Sequence, residues 1–417
     1  MRTQHTQHSL PAFPVYSSAF LSPDELVLGG GGGASRSGIK NKLRLYHVGD
    51  NRTLDLIDEL ELEKDEDAPM SMTAHPDNKQ LVCGINSTPT KLEKGQNENC
   101  RVYDLQEKKL TLVGTRGTLT VSTDNDDYQK VTVLSPDAKL LAVAGNRDLS
   151  LLTYPSLIPA ASSIQTSHDI YDATFSSTTL VIATTHNLLV YALPSASADS
   201  STTKGKGKGK RKGKQKSKAQ TELELELLQT IELPVLPGAV EGASFRAARF
   251  HPHTPTTLYT IVNTTPPRTR KTKTTTRPAF VVKWSVPASA DANDGEKEEK
   301  TEWEAAKVRK VGEKGVTCFD VSPDGRFLAF GSSDYTIGIL DANTLGPLLT
   351  ILKAHEFPPT TLRFSPTSNL LVSGSADNSV RVISVPAELG GQSWGILLVI
   401  ILTLIVILLA IAFQMLR

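Results

Sequence analysis

The sequence predicts an all-β fold, a seven-bladed β-propeller, followed by a single transmembrane α-helix near the C-terminal end. Two observations lead to this prediction: one strand-and-turn pattern recurs seven times, and residues 394–413 form an uncharged apolar run. The chain has 417 residues, of which 39% are apolar, and this is enough for a sizeable core. Lys and Arg (45) nearly balance Asp and Glu (44), so the average surface is not one that favours nucleic acid.

Each copy of the repeat contains an apolar run, a turn of the Ser-Pro-Asp type, a second apolar run, and a third run after a polar loop. The clearest copies are residues 316–342 and 360–385, and weaker copies begin at Phe13, Met70, Lys130, Ile170 and Ser244. In the turn at 322–325, Pro323 fixes φ at the second position and Gly325 accepts the conformation at the end. Such repeats, with a fourth strand in each connecting segment, are what a propeller requires. We therefore predict one propeller over residues 1–388.

The last two copies resemble the WD-repeat family. Their segments GSSDYTIGILD and GSADNSVRVISV are similar to the closing strand of that repeat, and Ala354-His355 is similar to its Gly-His start. The usual Trp-Asp end is mostly absent from the chain.

Insertions interrupt the repeats, and we expect them to be loops. A basic insertion over 199–220 contains Lys204 to Lys218, with nine basic residues in fifteen and no apolar residue. Such a segment cannot fold alone, and we expect a disordered loop between blades four and five. It is either an incidental solvated loop or a contact for anionic lipid head groups; binding of nucleic acid is the least favoured reading. Two further loop insertions are predicted at 264–277 and 288–304, and a linker at 389–393.

The apolar run Trp394 to Phe413 is predicted to anchor the chain in a membrane. Its 20 residues match the hydrocarbon thickness, and 15 of them are Leu, Ile, Val or Phe. Insertion of this run is favoured by roughly 7 kcal/mol. A buried core helix is the alternative. The N-terminus lacks a secretory signal, and the cysteines lack disulfide or metal spacing, so we expect a cytosolic propeller and a short lumenal tail, 414–417.

The chain shows no motif for covalent catalysis. It has no Walker-type phosphate loop, no nucleophile elbow and no zinc-spaced Cys/His set, so we do not expect an enzyme that changes covalent bonds. The unusual segment is Gly29 to Asn41, with five consecutive glycines, predicted to join the second and third strands of blade one. It is either a flexible hairpin or a loop whose backbone binds a cation or presses against another surface. Ile39 is expected to be an exposed apolar tip on it.

The opening segment, FPVYSSAFLSPDELVLGGGGGASRSGIKNKLRLYHV, resembles the membrane-anchored guanine-nucleotide exchange factors of the Sar-type small GTPase, which start COPII coat assembly at the endoplasmic reticulum. The resemblance is sharpest in the glycine loop. It implies a single-pass protein of the endoplasmic reticulum membrane that promotes GDP release without covalent chemistry, with a Sar-type GTPase as its partner.

The resemblance also implies site residues. The exchange residues are Gly38, Ile39 and Asn41: Ile39 matches the residue that enters the GTPase, and Asn41 the asparagine that orders the loop. A potassium ion is implied as cofactor, held mainly by backbone carbonyls. Its implied ligands are Gly29, Gly30, Gly31, Gly32, Ser37 and Asn41.

Two other functions stay open at this point. The first is a non-catalytic, membrane-tethered propeller scaffold for transport or coat proteins. The second is a nucleic-acid-linked regulator that uses Lys204 to Lys218, which the predicted anchor and the neutral overall charge disfavour.

Overall fold

The computed structural model describes residues 4–34, 37–119, 127–194, 223–238, 242–265, 276–287, 302–387, 389 and 394–415. Within these residues the strands form seven antiparallel sheets of four strands each, which confirms the predicted all-β propeller. The first strands of successive blades lie side by side in a ring. The ring encloses a central channel.

The strands follow the seven predicted repeats in chain order. Blade one contains β2 (Val15–Phe20), β3 (Glu25–Gly30), β4 (Lys42–Val48) and β5 (Leu54–Glu61). Blade two contains β6 (Ser71–Ala74), β7 (Gln80–Gly84), β8 (Cys100–Gln106) and β9 (Lys109–Arg116), and blade three β10 (Val131–Leu134), β11 (Leu140–Ala144), β12 (Asp148–Thr153) and β13 (Ile164–Gln165). Blade four contains β14 (Ile170–Phe175), β15 (Thr179–Thr184), β16 (Asn187–Ala192) and β17 (Leu227–Glu232), and blade five β18 (Ala243–His251), β19 (Thr254–Thr264), β20 (Ala279–Ser285) and β21 (Glu304–Gly312). Blade six contains β22 (Val316–Val321), β23 (Phe327–Ser332), β24 (Ile337–Asp341) and β25 (Pro347–Ile351).

Blade seven joins the two ends of the propeller. It contains β26 (Pro359–Phe364), β27 (Leu370–Ser375), β28 (Ser379–Ser384) and, as its outer strand, β1 (His5–Ser9). The guanidinium of Arg381 reinforces this pairing, with 2.8 Å bonds to His5 Nδ1 and Gln7 Oε1. The first strand, β1, therefore closes the ring by pairing with the last blade. Its polar sequence, HTQHS, did not predict a strand.

Apolar side chains fill the space between neighbouring blades. Between blades one and two, Val27 and Leu43 pack with Leu81 and Cys83, all fully buried. The cysteines are free thiols, and burial raises the pKa of Cys100 to about 12. These thiols are therefore packing groups.

The lysine-rich tract occupies a different place in the fold from the one predicted. It lies in the chain between β16 and β17, which are the third and fourth strands of the same blade. The prediction of a loop between blades four and five was wrong, because the fourth strand of blade four comes after the tract. The tract itself, like most of the other two predicted insertions, is outside the described residues.

Two helices complete the described chain. The short helix α1 (Pro89–Leu92) lies between β7 and β8, and α2 (Trp394–Met415) follows the propeller. The described side chains of α2, at residues 399, 401–408, 412 and 414, are exposed. Among the residues described in full, no helix is both long and apolar enough to cross a membrane, so the predicted span is not confirmed.

His355 is a buried polar residue of blade seven. Its Nδ1 lies 2.8 Å from Ser379 Oγ and its Nε2 lies 2.7 Å from Ser373 Oγ. The residue as a whole is only 3% exposed. Burial lowers the pKa of His355 to about 4, although nearby Asp377 favours the charged form. The imidazole is therefore neutral in the folded protein at pH 7.

This depressed pKa predicts a loss of stability in mild acid. In the unfolded chain His355 takes up a proton below about pH 6.5, whereas in the fold it does so only near pH 4. Stability present above pH 6.5 is therefore lost as the pH falls, by about 2 kcal/mol at pH 5. Urea unfolding of the wild type and of His355→Gln at pH 7 and at pH 5 measures this loss. Between the two pH values the free energy of unfolding should fall more in the wild type than in the variant. Equal losses of stability in the two proteins would contradict a lowered pKa of His355.

Candidate functional site

The glycine-rich segment begins inside a strand and continues as a loop. Gly29 and Gly30 are the last residues of β3, paired with Leu43 and Lys42 of β4, and the loop proper covers residues 31–41. It joins the second and third strands of blade one, as predicted. The described loop residues are 31–34 and 37–41.

The glycines are required because the two arms of the loop approach each other closely. Gly31 has φ of +138°, and a Cβ added there would lie 2.5 Å from Asn41 Cα. A Cβ on Gly32 would lie 2.8 Å from the carbonyl oxygen of Ile39. Larger residues at these positions would therefore push the arms apart. Around Gly31 and Gly32 the loop is therefore closely packed backbone.

The side chain of Asn41 fixes this loop. Its Oδ1 accepts a hydrogen bond from the Gly33 amide at 2.9 Å, and its Nδ2 donates to the Gly33 carbonyl at 3.0 Å. The same Nδ2 donates to the Glu66 carbonyl at 2.6 Å. Asn41 is 9% exposed. One buried amide therefore closes the loop on itself and ties it to the connection between blades one and two.

That connection is itself anchored by charge. The Glu66 carboxylate, 3% exposed, pairs with the guanidinium of Arg101 at 2.6 Å. Arg101 lies in β8 of blade two. The carboxylate of Asp67 accepts hydrogen bonds from the amides of Ala68 and Ala34, although burial is the larger influence and raises the pKa of Asp67. Glu66 and Asp67 thus hold the glycine loop at two points.

The other predicted exchange residues lie on the outer part of the loop. Gly38 is exposed, with φ of +77° and no heavy atom within 4 Å of an added Cβ. The Ile39 amide donates to Ser37 Oγ at 3.3 Å. The Ile39 side chain is half-buried, whereas we expected an exposed tip. The loop carries it close to Gly32, which accounts for its partial cover.

The donor groups of the loop suit a large monovalent cation better than a small divalent one. Among the described residues, no cluster of three His, Cys, Asp or Glu side chains could hold a metal. Residues 31–41 contain no carboxylate side chain, so the oxygen atoms that the loop itself offers are neutral, whereas small divalent ions favour sites that include carboxylates. Asn41 Oδ1 already accepts the Gly33 amide, so its first role is to order the loop.

Sequence reasoning missed Glu66, Asp67 and Arg101. They occur in ordinary charged surroundings, KDEDAPM and NCRVYDL, which carry no spacing that signals a buried pair. Only the approach of blade two to blade one brings them to the loop.

Comparisons with known proteins agree with the fold. The family model for the WD domain, G-beta repeat, matches residues 307–341 and 346–384, which fall in blades five to seven. Guanine nucleotide-exchange factor SEC12 of Candida glabrata is 28% identical over 178 residues, 41% of this chain and 38% of that protein. Putative guanine nucleotide-exchange factor SED4 of the same yeast is 22% identical over 387 residues, 91% of this chain and 32% of that protein.

SEC12-like protein 2 of Arabidopsis thaliana is 31% identical over 83 residues, 20% of this chain and 21% of that protein. The chain thus spans about a third of the length of the two yeast relatives. The seven blades, the matched repeats and these relatives confirm the predicted resemblance. The chain is therefore a seven-bladed propeller that carries WD-type repeats and is similar to the SEC12 and SED4 guanine nucleotide-exchange factors.

Proposed function

We propose that this protein is a guanine-nucleotide exchange factor that promotes GDP release from a Sar-type small GTPase at the endoplasmic reticulum membrane and so starts COPII coat assembly. The observation that carries the proposal is the glycine loop held by Asn41 on Glu66. It lies in a chain related to proteins named as exchange factors.

The mechanism is differential binding. An exchange factor accelerates GDP release by binding the nucleotide-free GTPase more tightly than the nucleotide-bound form. A loop fixed at Asn41, Glu66 and Asp67 can displace a partner's segment without losing its own conformation, so the binding free energy is not used to order it. No covalent bond changes, and no acid, base or nucleophile is required.

Each loop residue has a distinct part in this mechanism. Asn41 is a positioning residue, because its amide acts through the backbone of Gly33 and Glu66. Ile39 contacts the GTPase with the part of its side chain that solvent reaches. Gly38, exposed and with a positive φ, lets the backbone turn beside it without a side chain in the way.

A potassium ion would stiffen the loop. Of the implied ligands, Gly31, Gly32, Ser37 and Asn41 lie in the loop, whereas Gly29 and Gly30 lie in β3 between two strands. We therefore favour the carbonyls of the loop residues as the main donors.

The helix α2 is proposed as a single membrane anchor, with the propeller in the cytosol and residues 414–417 on the lumenal side. Its described apolar side chains are exposed, among them Val399 at 66%, Leu402 at 62% and Leu408 at 64%. A core helix would have buried them, so this exposure favours the anchor over that alternative. Anionic lipid contact through Lys204 to Lys218 would add to the attachment, at about 1 kcal/mol per basic residue near the surface.

Replacing Asn41 by Ala should lower the stimulated rate of GDP release at least about tenfold, because the loop loses its closing bonds. The free energy of unfolding should also fall, by about 1 to 3 kcal/mol, since the buried Glu66 carbonyl and the half-buried backbone groups of Gly33 lose their partner. The assay is GDP release followed by fluorescence, with the full chain in detergent. Asn263→Ala is the matched control: Asn263 bonds both backbone groups of Val316, at 2.8 and 2.9 Å, far from the loop. If Asn41→Ala stimulates GDP release as fast as Asn263→Ala, the glycine loop is not the exchange site.

Replacing Ile39 by Ala should slow exchange about tenfold but change stability by less than about 1 kcal/mol, because Ile39 belongs to no buried cluster of the described core. Leu56→Ala, which removes a 55% exposed leucine of β5, is the control and should exchange at the wild-type rate. An Ile39→Ala variant that is fully active would remove Ile39 from the contact.

The ion predicts a salt-specific rate. Stimulated GDP release should be several-fold faster in potassium than in sodium at equal ionic strength, because backbone carbonyls replace the hydration shell of potassium in known potassium sites. The GTPase alone, measured in both salts, corrects for its own response. Identical stimulation in the two salts would exclude a potassium role.

A further inference from the structure

The first strands of the blades share a feature near their start. In blades one, four, five, six and seven the pairing with the second strand shifts by one residue, which is a β-bulge. A bulge turns its extra side chain out of the sheet, and here all five extra residues line the central channel. In blades two and three, Met70 and Lys130 stand at the equivalent position and line it as well.

Two of these residues join neighbouring blades. Thr317 Oγ1 donates to the Pro359 carbonyl at 2.6 Å, which links blade six to blade seven. Thr360 Oγ1 donates to the Val15 carbonyl at 2.6 Å, which links blade seven to blade one. At these two positions the bulge has a structural role.

The other five positions carry long side chains in place of threonine: Tyr16, Met70, Lys130, Tyr171 and Arg246, here called the channel arc. All five are half-buried around a cavity of about 410 Å³. The Arg246 guanidinium lies 4.9 Å from the centre of the Tyr171 ring, and Lys130 Nζ lies 5.8 Å from that of Tyr128. No ion pair among the described residues includes Arg246 or Lys130, unlike Arg249, which pairs with Asp172.

The channel arc is continuous with the glycine loop. Pro14, two residues before Tyr16, accepts the Gly31 amide at 3.0 Å. Asp67, which holds Ala34, also acts on the arc: burial first, and then the charge of Asp67, raises the pKa of Tyr16. The same carboxylate contributes to the raised pKa of Tyr128, after burial. The loop and the arc therefore form one surface on the same face of the propeller.

We propose that the channel arc is a second contact surface for the GTPase that the glycine loop engages, and that it receives an acidic segment of that partner. Tyrosine, arginine and methionine are the residues enriched in protein interfaces, and tyrosine and arginine in their energetic centres. Arg246, and Lys130 with the charges of Asp127 and Asp169 nearby, form no ion pair among the described residues and attract carboxylates into a channel mouth lined by aromatic rings. The inference rests on the proposed exchange function, and it assigns the selection of the partner to the channel arc.

The arc contributes affinity, whereas the loop acts on the bound nucleotide. Arg246→Ala in the full chain should therefore raise KM for the GTPase, and Kd for its nucleotide-free form, about tenfold while kcat changes less than twofold. Lys130→Ala, in another blade, should raise KM in the same way by a smaller factor. Both effects should shrink as salt is added, because they are electrostatic.

The matched control is Arg363→Ala, which removes an arginine of the same channel three residues beyond Thr360, where it pairs with Asp320 at 3.3 Å. Its KM should equal that of wild type, and thermal unfolding should show all three variants folded. An active wild type with an unchanged KM in Arg246→Ala and Lys130→Ala would overturn the channel arc alone. A wild type without exchange activity would overturn the proposed function and the arc together.

Discussion

The amide of Asn41 is the contact on which the functional face depends. It joins the two arms of the glycine loop through Gly33 and fastens them to the Glu66 carbonyl. The position of that carbonyl depends in turn on a carboxylate pinned by Arg101 in the next blade. Buried ion pairs contribute little net stability, because desolvation offsets the attraction, but they tolerate few alternative geometries. Here such a pair sets where a loop of glycines stands relative to the channel.

The ring itself is held by contacts of a different kind. Apolar side chains fill the space between blades, and the bulge threonines of blades six and seven bridge to the next blade. In blades one to five the equivalent position carries tyrosine, methionine, lysine or arginine in place of the bridging threonine. The propeller is therefore regular on one side of its channel and chemically varied on the other. The varied side is the one that begins beside the glycine loop.

The repeats could be predicted from the sequence because each is marked by local chemistry: the Ser-Pro-Asp turn and two apolar runs appear in every blade in some form. The strand β1 could not, since HTQHS has no apolar alternation and acquires its structure only by pairing with β28. The fourth strand of blade four was not predicted either, because the lysine tract separates it in the chain from the other three strands of its blade. Within the site, the loop and Asn41 were evident, but the cover over Ile39 and the Glu66–Arg101 pair follow from contacts between distant segments.

The division of the loop into a fixed base and an open end has a consequence for substitutions. At Gly31 and Gly32 a side chain would collide with the opposite arm, so the base tolerates almost no substitution. Around Gly38 there is free space. Substitutions at the open end therefore change the surface that the loop presents, while the base that keeps the loop rigid stays the same.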